Sequence, residues 1–425
     1  MRKLVVLALI ASGAFFALCR TSVPSGEEYV PRLTIGLDVC DYRIFIKKCL
    51  VENQPYRPVA MRALDACYPP IAYCLAKCFP LTPRGEVAYV SFLFGGLMAG
   101  LVFFLLQRRL EHVPSFICSV LLTIPYVSGP LRGNPAAWAA GSLFVFLAWF
   151  DSPRMWKRMV AAAALGFATS LKITPVVYGL LYLKDNPLDP DKWPKEEMMI
   201  AGLSFAMFFA VPFVLFGGPN SVDAWFANAL ANSRYYSPLA DYGFAPIVRC
   251  FGDLLPRRSL SLAVQLTNLL AVALCLASCF ARQFQRALTL LGVAMVFLCH
   301  HDYGLVYLLP AFACWIGEKR PDGATGLAGN ARLLVESALW FLVFESAICV
   351  PSIRMLVLNE QIVSNGAIIL LGLLSLADVG VVLVNPPGGR VKTPGVSGQT
   401  TRWFGSNPLG VRVKTVIASL KKSLG

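Results

Sequence analysis

Apolar residues recur in long runs along this 425-residue chain, parted by short polar connectors. Most runs reach the roughly 17–25 residues that a helix needs to cross hydrocarbon. The pattern predicts spans at about 3–19, 86–106, 113–131, 135–150, 197–217, 259–280, 285–299, 304–317, 331–351 and 362–384. It lacks the ten-residue alternation of an outer-membrane barrel. The expected fold class is therefore an all-α polytopic membrane bundle of about ten transmembrane helices. "MRK" followed by an apolar run fits a cleaved signal peptide as well as an uncleaved anchor,; the anchor is the reading adopted here.

One segment resists simple assignment. Residues 159–183, "MVAAAALGFATSLKITPVVYGLLYL", are long enough for one span, yet Lys172 and Pro175 interrupt the middle. With the N-terminus inside, "QRRLEH" (107–112) and "DSPRMWKR" (151–158) also fall inside, as basic loops should,. A single crossing at 159–183 would then put "ARQFQR" (281–286), "EKR" (318–320) and the tail outside. That tail, from Asn385 onward, has seven Lys and Arg and no acid. If 159–183 enters and returns as a broken, re-entrant pair, all three basic segments lie inside. Non-helical backbone at membrane depth needs cover from protein or a watery cavity, so the re-entrant reading predicts a cavity near Lys172.

That topology makes the N-terminus and tail cytoplasmic and gathers the polar features on the opposite face. They are the first loop (20–85), "RGN" (132–134), a second loop (218–258) and "HHDY" (300–303). In the first loop, 41–51 suits a short interfacial helix; "YPP" (68–70) precedes an apolar stretch, 71–80, too short to span,. Residues 1–385 read as one transmembrane module, and 386–425 as a flexible basic tail with a weakly amphipathic end at 411–424. The expected location is the inner (plasma) membrane.

Composition agrees with a membrane protein. Hydrophobic residues make up 56% and charged residues 15%, against about 25% charged in soluble domains; mean hydropathy is +0.61. The net charge of +14 raises nucleic acid as a partner, but the basic residues fall in connectors and tail, where they hold orientation and touch anionic lipid. Nucleic acid is excluded and membrane lipid expected. Of thirteen cysteines, Cys40, Cys49, Cys67, Cys74 and Cys78 lie in the first loop. Disulfides are possible there in an oxidising compartment, with connectivity open.

No P-loop, dinucleotide fingerprint or HExxH is present,, so substrate energy must arrive already activated. Asp38 and Asp41 stand among bases and aromatics in the first loop. They read as solvated loop acids or as a general base tuned by partial desolvation. A Lys inside an apolar segment, such as Lys172, is costly unless it pairs or lines a polar cavity. His301, Asp302 and Tyr303 suit an interfacial belt or a substrate contact. "NSRYYSP" (232–238), with Arg234 and Tyr235, suits an interface anchor or a sugar-stacking surface,.

The frame around these residues carries a resemblance. "GLDVCDYRIFIKKCLVENQPY" and then "YPPIAYCLAKCFP" resemble the first loop of glycosyltransferase family 87, keeping Asp38, Tyr42, Pro55, Tyr56 and Tyr68-Pro69-Pro70 at the family's spacing. "RGN" at 132–134, "GFATSLKITP" at 166–175 and "HHDYGLVYLLP" at 300–310 follow in family order, so that the likeness covers about residues 35–315. The resemblance implies a GT-C-like bundle that moves a hexose such as mannose from a polyprenyl-phosphate donor to a glycolipid or glycan acceptor, with inversion. It implies Asp38 as catalytic base, with Asp41 as the alternative, and Arg132, Lys172 and His301 on the donor phosphate. Tyr42, Tyr56, Tyr68, Asn134, Arg234, Tyr235, Asp302 and Tyr303 would line the substrate site. No cofactor or metal is implied. A transporter or lipid flippase and a non-catalytic family member are the competing readings.

Overall fold

The computed structural model describes residues 68–80, 82–110, 134–184, 186–215, 220–236, 242–250, 256, 258–299, 302–317, 327–345 and 360–384. Among them there is helix and no strand. The α-helices are α1 (Pro70–Lys77), α2 (Pro83–Gln107), α3 (Ala136–Trp149), α4 (Met155–Leu171), α5 (Lys195–Leu215), α6 (Asn220–Tyr236), α7 (Phe244–Cys250), α8 (Arg258–Ser278), α9 (Phe284–Cys299), α10 (Leu309–Gly317), α11 (Leu327–Glu345) and α12 (Glu360–Val384). Two 3-10 helices, Thr174–Leu183 and Asp302–Leu308, interrupt the series.

Local chemistry sets the helix starts. The Thr82 hydroxyl accepts from Gly85 N at 3.2 Å, and Pro83 follows at the first helical position, where its missing N–H costs nothing,. In α5, Glu196 and Glu197 occupy the first turn, which favours negative charge,. Packing does the rest. Along α2 the residues Leu93, Leu97, Leu101 and Phe104 form a stripe with no exposure. Gly96, Gly100 and Gly141 let α2 and α3 approach backbone to backbone: a Cβ on Gly141 would lie 2.5 Å from the Gly96 carbonyl oxygen. Small residues at a membrane helix crossing allow this contact. The two helices run parallel, since Trp138 meets Phe92 near one end and Trp149 meets Phe103 near the other.

The segment holding Lys172 folds back on itself. Helix α4 ends at Leu171, Lys172 is extended (φ −153°, ψ 123°), and the 3-10 helix begins at Thr174. That second limb returns along the first: Gly179 lies beside Leu165, and the Tyr182 ring sits 5.4 Å from Phe146, close to where α4 began. Because the chain has doubled back, α5 runs parallel to α4. The pairs Arg158–Glu197, Ser204–Ala163 and Phe167–Phe208 ascend together. A second hairpin joins α9 to the 302–317 segment. Gly304 lies against Cys299 at its turn, Gly292 against Leu308 midway, and Trp315 and Arg286 share Glu336 at its far end.

Among the described residues four helices are long and apolar enough to cross a membrane: Val87–Gln107, Lys195–Val214, Arg258–Ser278 and Val363–Gly380. The shorter apolar helices are Ala136–Trp149, Thr174–Leu183, Phe284–Cys299 and Gly304–Gly317. Within the second loop 220–236 and 244–250 are helical, and Trp225 of α6 packs on Phe209 of α5 at 5.0 Å. The predicted span 304–317 is a 3-10 helix through Leu308, where Pro310 has no N–H with which to continue the ladder. The predicted spans 3–19 and 113–131 and the tail lie outside the described residues.

Candidate active site

The two hairpins give the bundle two unlike ends. At the end where both 3-10 helices begin, the predicted motifs converge. Asn134, with no exposure, opens α3: its Oδ1 accepts from Ala136 N at 2.9 Å, a local turn that starts the helix,. Its Nδ2 donates to the Tyr68 hydroxyl at 2.6 Å, across 66 residues of sequence. The motifs "YPP" and "RGN" are thus tied together. Pro69 and Pro70 behind Tyr68 start α1 and are buried.

Lys172 stands at the break between α4 and its return limb. Its backbone N still donates to Ala168 O at 3.1 Å, while its side chain is partly buried and its Nζ fully so. Leu171 and Lys172 are followed by Pro175, which cannot offer an N–H to the preceding turn,. Two residues on, Thr174 Oγ1 lies 3.5 Å from Cys299 Sγ. The Lys172 break therefore abuts the end of α9, just before the "HHDY" turn. Trp138 completes the frame: its Nε1 donates to Phe92 O at 3.0 Å, and its ring stacks on Phe92 at 4.5 Å and meets Phe167 edge-on at 6.3 Å. Sequence reasoning passed over Trp138. The available signal was a buried-face indole whose N–H needs an acceptor.

Of the other expected site residues, Asp38, Asp41, Tyr42, Tyr56, Arg132 and His301 lie outside the described residues. For Asp302 and Tyr303, which open the second 3-10 helix, and for Arg234 and Tyr235, in the last turn of α6, only the backbone is described. Among the described residues no three His, Cys, Asp or Glu side chains gather as metal ligands.

The opposite end is built from ion pairs. Arg108 donates to Asp151 at 2.9 Å and to Leu147 O from Nε at 2.9 Å, with its guanidinium over the Phe284 ring at 4.5 Å. Arg158 meets Glu197 at 2.6 Å. Glu336 accepts from Arg286 at 2.5 Å, Arg332 at 3.0 Å and Trp315 Nε1 at 2.9 Å, while Asp378 bridges Arg286 and Arg332.

Among the described residues the protein is all-helical, with Tyr68, Asn134 and the Lys172 break at one end, and a multi-pass helical membrane protein is the class these features define. The model of glycosyltransferase family 87 matches residues 66–306. That is more than half of the chain, which belongs to this family. It is accordingly a membrane glycosyltransferase, acting between a sugar donor and an acceptor. No curated protein and no solved structure matches it. The matched stretch includes Tyr68, Asn134, Lys172 and Asp302; Asp38 and Asp41 precede it, and α11 and α12 follow it.

Proposed function

We propose that the chain transfers a hexose, with mannose the first to test, from a polyprenyl phosphate to a glycolipid or glycan hydroxyl on the non-cytoplasmic face. The observation that carries this reading is the meeting of the Lys172 break with the end of α9, at the same end of the bundle as the Tyr68–Asn134 bond. Segment 159–183 serves as a re-entrant pair with its turn at this end, and the chain crosses the membrane about ten times. The ion-paired end, with its basic connectors, faces the cytoplasm of a plasma membrane, as positive charge prefers.

In the proposed reaction Asp38 takes the proton of the acceptor hydroxyl as that oxygen forms its bond to the anomeric carbon. The bond from this carbon to the phosphate oxygen breaks, and polyprenyl phosphate leaves with the electron pair. Attack opposite the leaving group inverts the anomeric centre. Lys172, Arg132 and His301 stabilise the departing phosphate, the task for which fixed cations in a poorly solvated site are suited. Tyr42, Tyr56, Tyr68, Asn134, Arg234, Tyr235, Asp302 and Tyr303 hold sugar and acceptor. Both 3-10 limbs start at the site and run away from it, which favours an enzyme over a transporter. Transporter repeats of the inverted kind would open in opposite directions.

The test is transfer from a radiolabelled polyprenyl-phosphate hexose in membranes carrying wild-type, Asp38→Asn or Asp41→Asn protein. Loss with Asp38→Asn alone is expected. Loss with Asp41→Asn alone would move the base to Asp41. Full transfer in both variants would remove the first loop from the chemistry.

A further inference from the structure

The two 3-10 helices are unusual in themselves. Such runs rarely exceed three or four residues, because their hydrogen bonds are poorly aligned. Here they reach ten and seven residues and lie close together in the core. One begins two residues after Lys172; the other begins at Asp302. Near the site Thr174 meets Cys299, and farther along, the Tyr178 hydroxyl donates to the Tyr307 carbonyl oxygen at 2.8 Å. Both tyrosines are fully buried.

The sequence explains why a phenol is needed at that carbonyl. A 3-10 turn closing on Tyr307 O would take its N–H from residue 310, which is Pro310 and has none,. Tyr178 supplies the donor from the other limb. The surrounding contacts are mostly aliphatic and aromatic, and apolar burial is non-directional. A 2.8 Å hydrogen bond is directional, so it sets the register of one limb against the other,.

We infer that Tyr178 is a positioning residue for donor binding. Its hydroxyl is a strut that fixes the limb carrying Lys172 relative to the limb opened by Asp302 and Tyr303. The inference rests on the reading above, in which Lys172 contacts the donor phosphate. Tyr178 itself touches no substrate.

The full chain in membranes tests this in three arms. Tyr178→Phe keeps the ring and removes only the hydroxyl; KM for a polyprenyl-phosphate hexose should rise about tenfold, the scale of one hydrogen bond, with kcat within about threefold. An arm independent of activity uses Thr174→Cys, which places a second thiol beside Cys299. Copper-phenanthroline cross-linking of 174 to 299, read by peptide mass spectrometry, should slow several-fold when Tyr178→Phe is added. The third arm combines Tyr178→Phe with Pro310→Ala, which gives the Tyr307 carbonyl an amide donor without restoring the strut. Thermal stability should recover there while KM stays high.

Slower cross-linking with a raised, unrescued KM supports the inference. Unchanged cross-linking in Tyr178→Phe overturns it, as does a KM restored by Pro310→Ala, since the hydroxyl would then only satisfy a carbonyl. Slower cross-linking with KM unmoved upholds the strut and overturns its link to the donor. A wild-type chain that transfers no hexose overturns the underlying reading, and the cross-linking arm still decides the strut.

Discussion

The two ends of this bundle use polar side chains for opposite purposes. At the ion-paired end several charges meet their opposites. Arg108 has Asp151, Arg158 has Glu197, and two arginines share Glu336 and Asp378. At the other end the polar groups hold backbone in place: Asn134 joins Tyr68 to the start of α3, and Tyr178 joins two 3-10 limbs. Charge neutralised inside protein contributes to rigidity, and a directional hydrogen bond fixes one segment against another.

Substitutions at each end should separate these roles. The largest effect is expected from Glu336→Ala, which strips an acceptor from Arg286, Arg332 and Trp315 at once. Removing one member of a buried pair costs about 3–5 kcal/mol, so thermal denaturation in detergent should show a large loss of stability. KM of the surviving folded fraction should not move. Lys172→Met should do the reverse: transfer falls on the order of 10²-fold, as for loss of one charge-stabilising donor, with little change in melting temperature. Equal stability losses in the two variants would erase the distinction between the ends.

Smaller effects sharpen it. Tyr68→Phe and Asn134→Ala, made singly and together, should show a coupling of about 1 kcal/mol in a double-mutant cycle read by thermal denaturation,. Additive losses would mean the bond contributes nothing net. The finest test concerns α1, which carries Cys74 and Cys78 one turn apart. Burial, with the Cys78 thiol beside it, pushes the Cys74 thiol up to about 11. A raised pKa means little thiolate at neutral pH, so maleimide at pH 7.5 should label the exposed Cys78 first,. The Cys74 rate should then climb about tenfold per pH unit until near its pKa. Equal labelling at pH 7.5 would place α1 away from the bundle.

Much of this arrangement was legible because membranes make polar residues conspicuous. Lys172 and Pro175 announced an interruption within an apolar run, and the positive-inside rule favoured a re-entrant pair over a single crossing there,. In the structure the helix ends at Leu171, and α4 and α5 run parallel. The helices of 218–258 were missed because polar and aromatic residues obscure the periodicity there. The second 3-10 helix was missed because hydropathy registers apolarity and not hydrogen-bond register. The Gly96, Gly100 and Gly141 seam is short, and only contact geometry shows that two passes of one chain occupy it. Tyr178 is invisible for a similar reason: a Tyr in an apolar run reads as bulk until its acceptor, 129 residues away, is known.

One small clamp has a consequence for how the molecule is made. Gly243 sits at φ +96°, a conformation suited to glycine, and a Cβ there would strike Thr267,. Its N–H and C=O are both held by the amide of Asn365, at 2.7 and 2.5 Å, 122 residues downstream. Asn365 belongs to α12, beyond the stretch matched by the family model. During synthesis the Gly243 turn emerges long before its clamp exists. The ribosome must deliver α12 before that turn can lock, so the bundle cannot finish assembling until this late helix has been made.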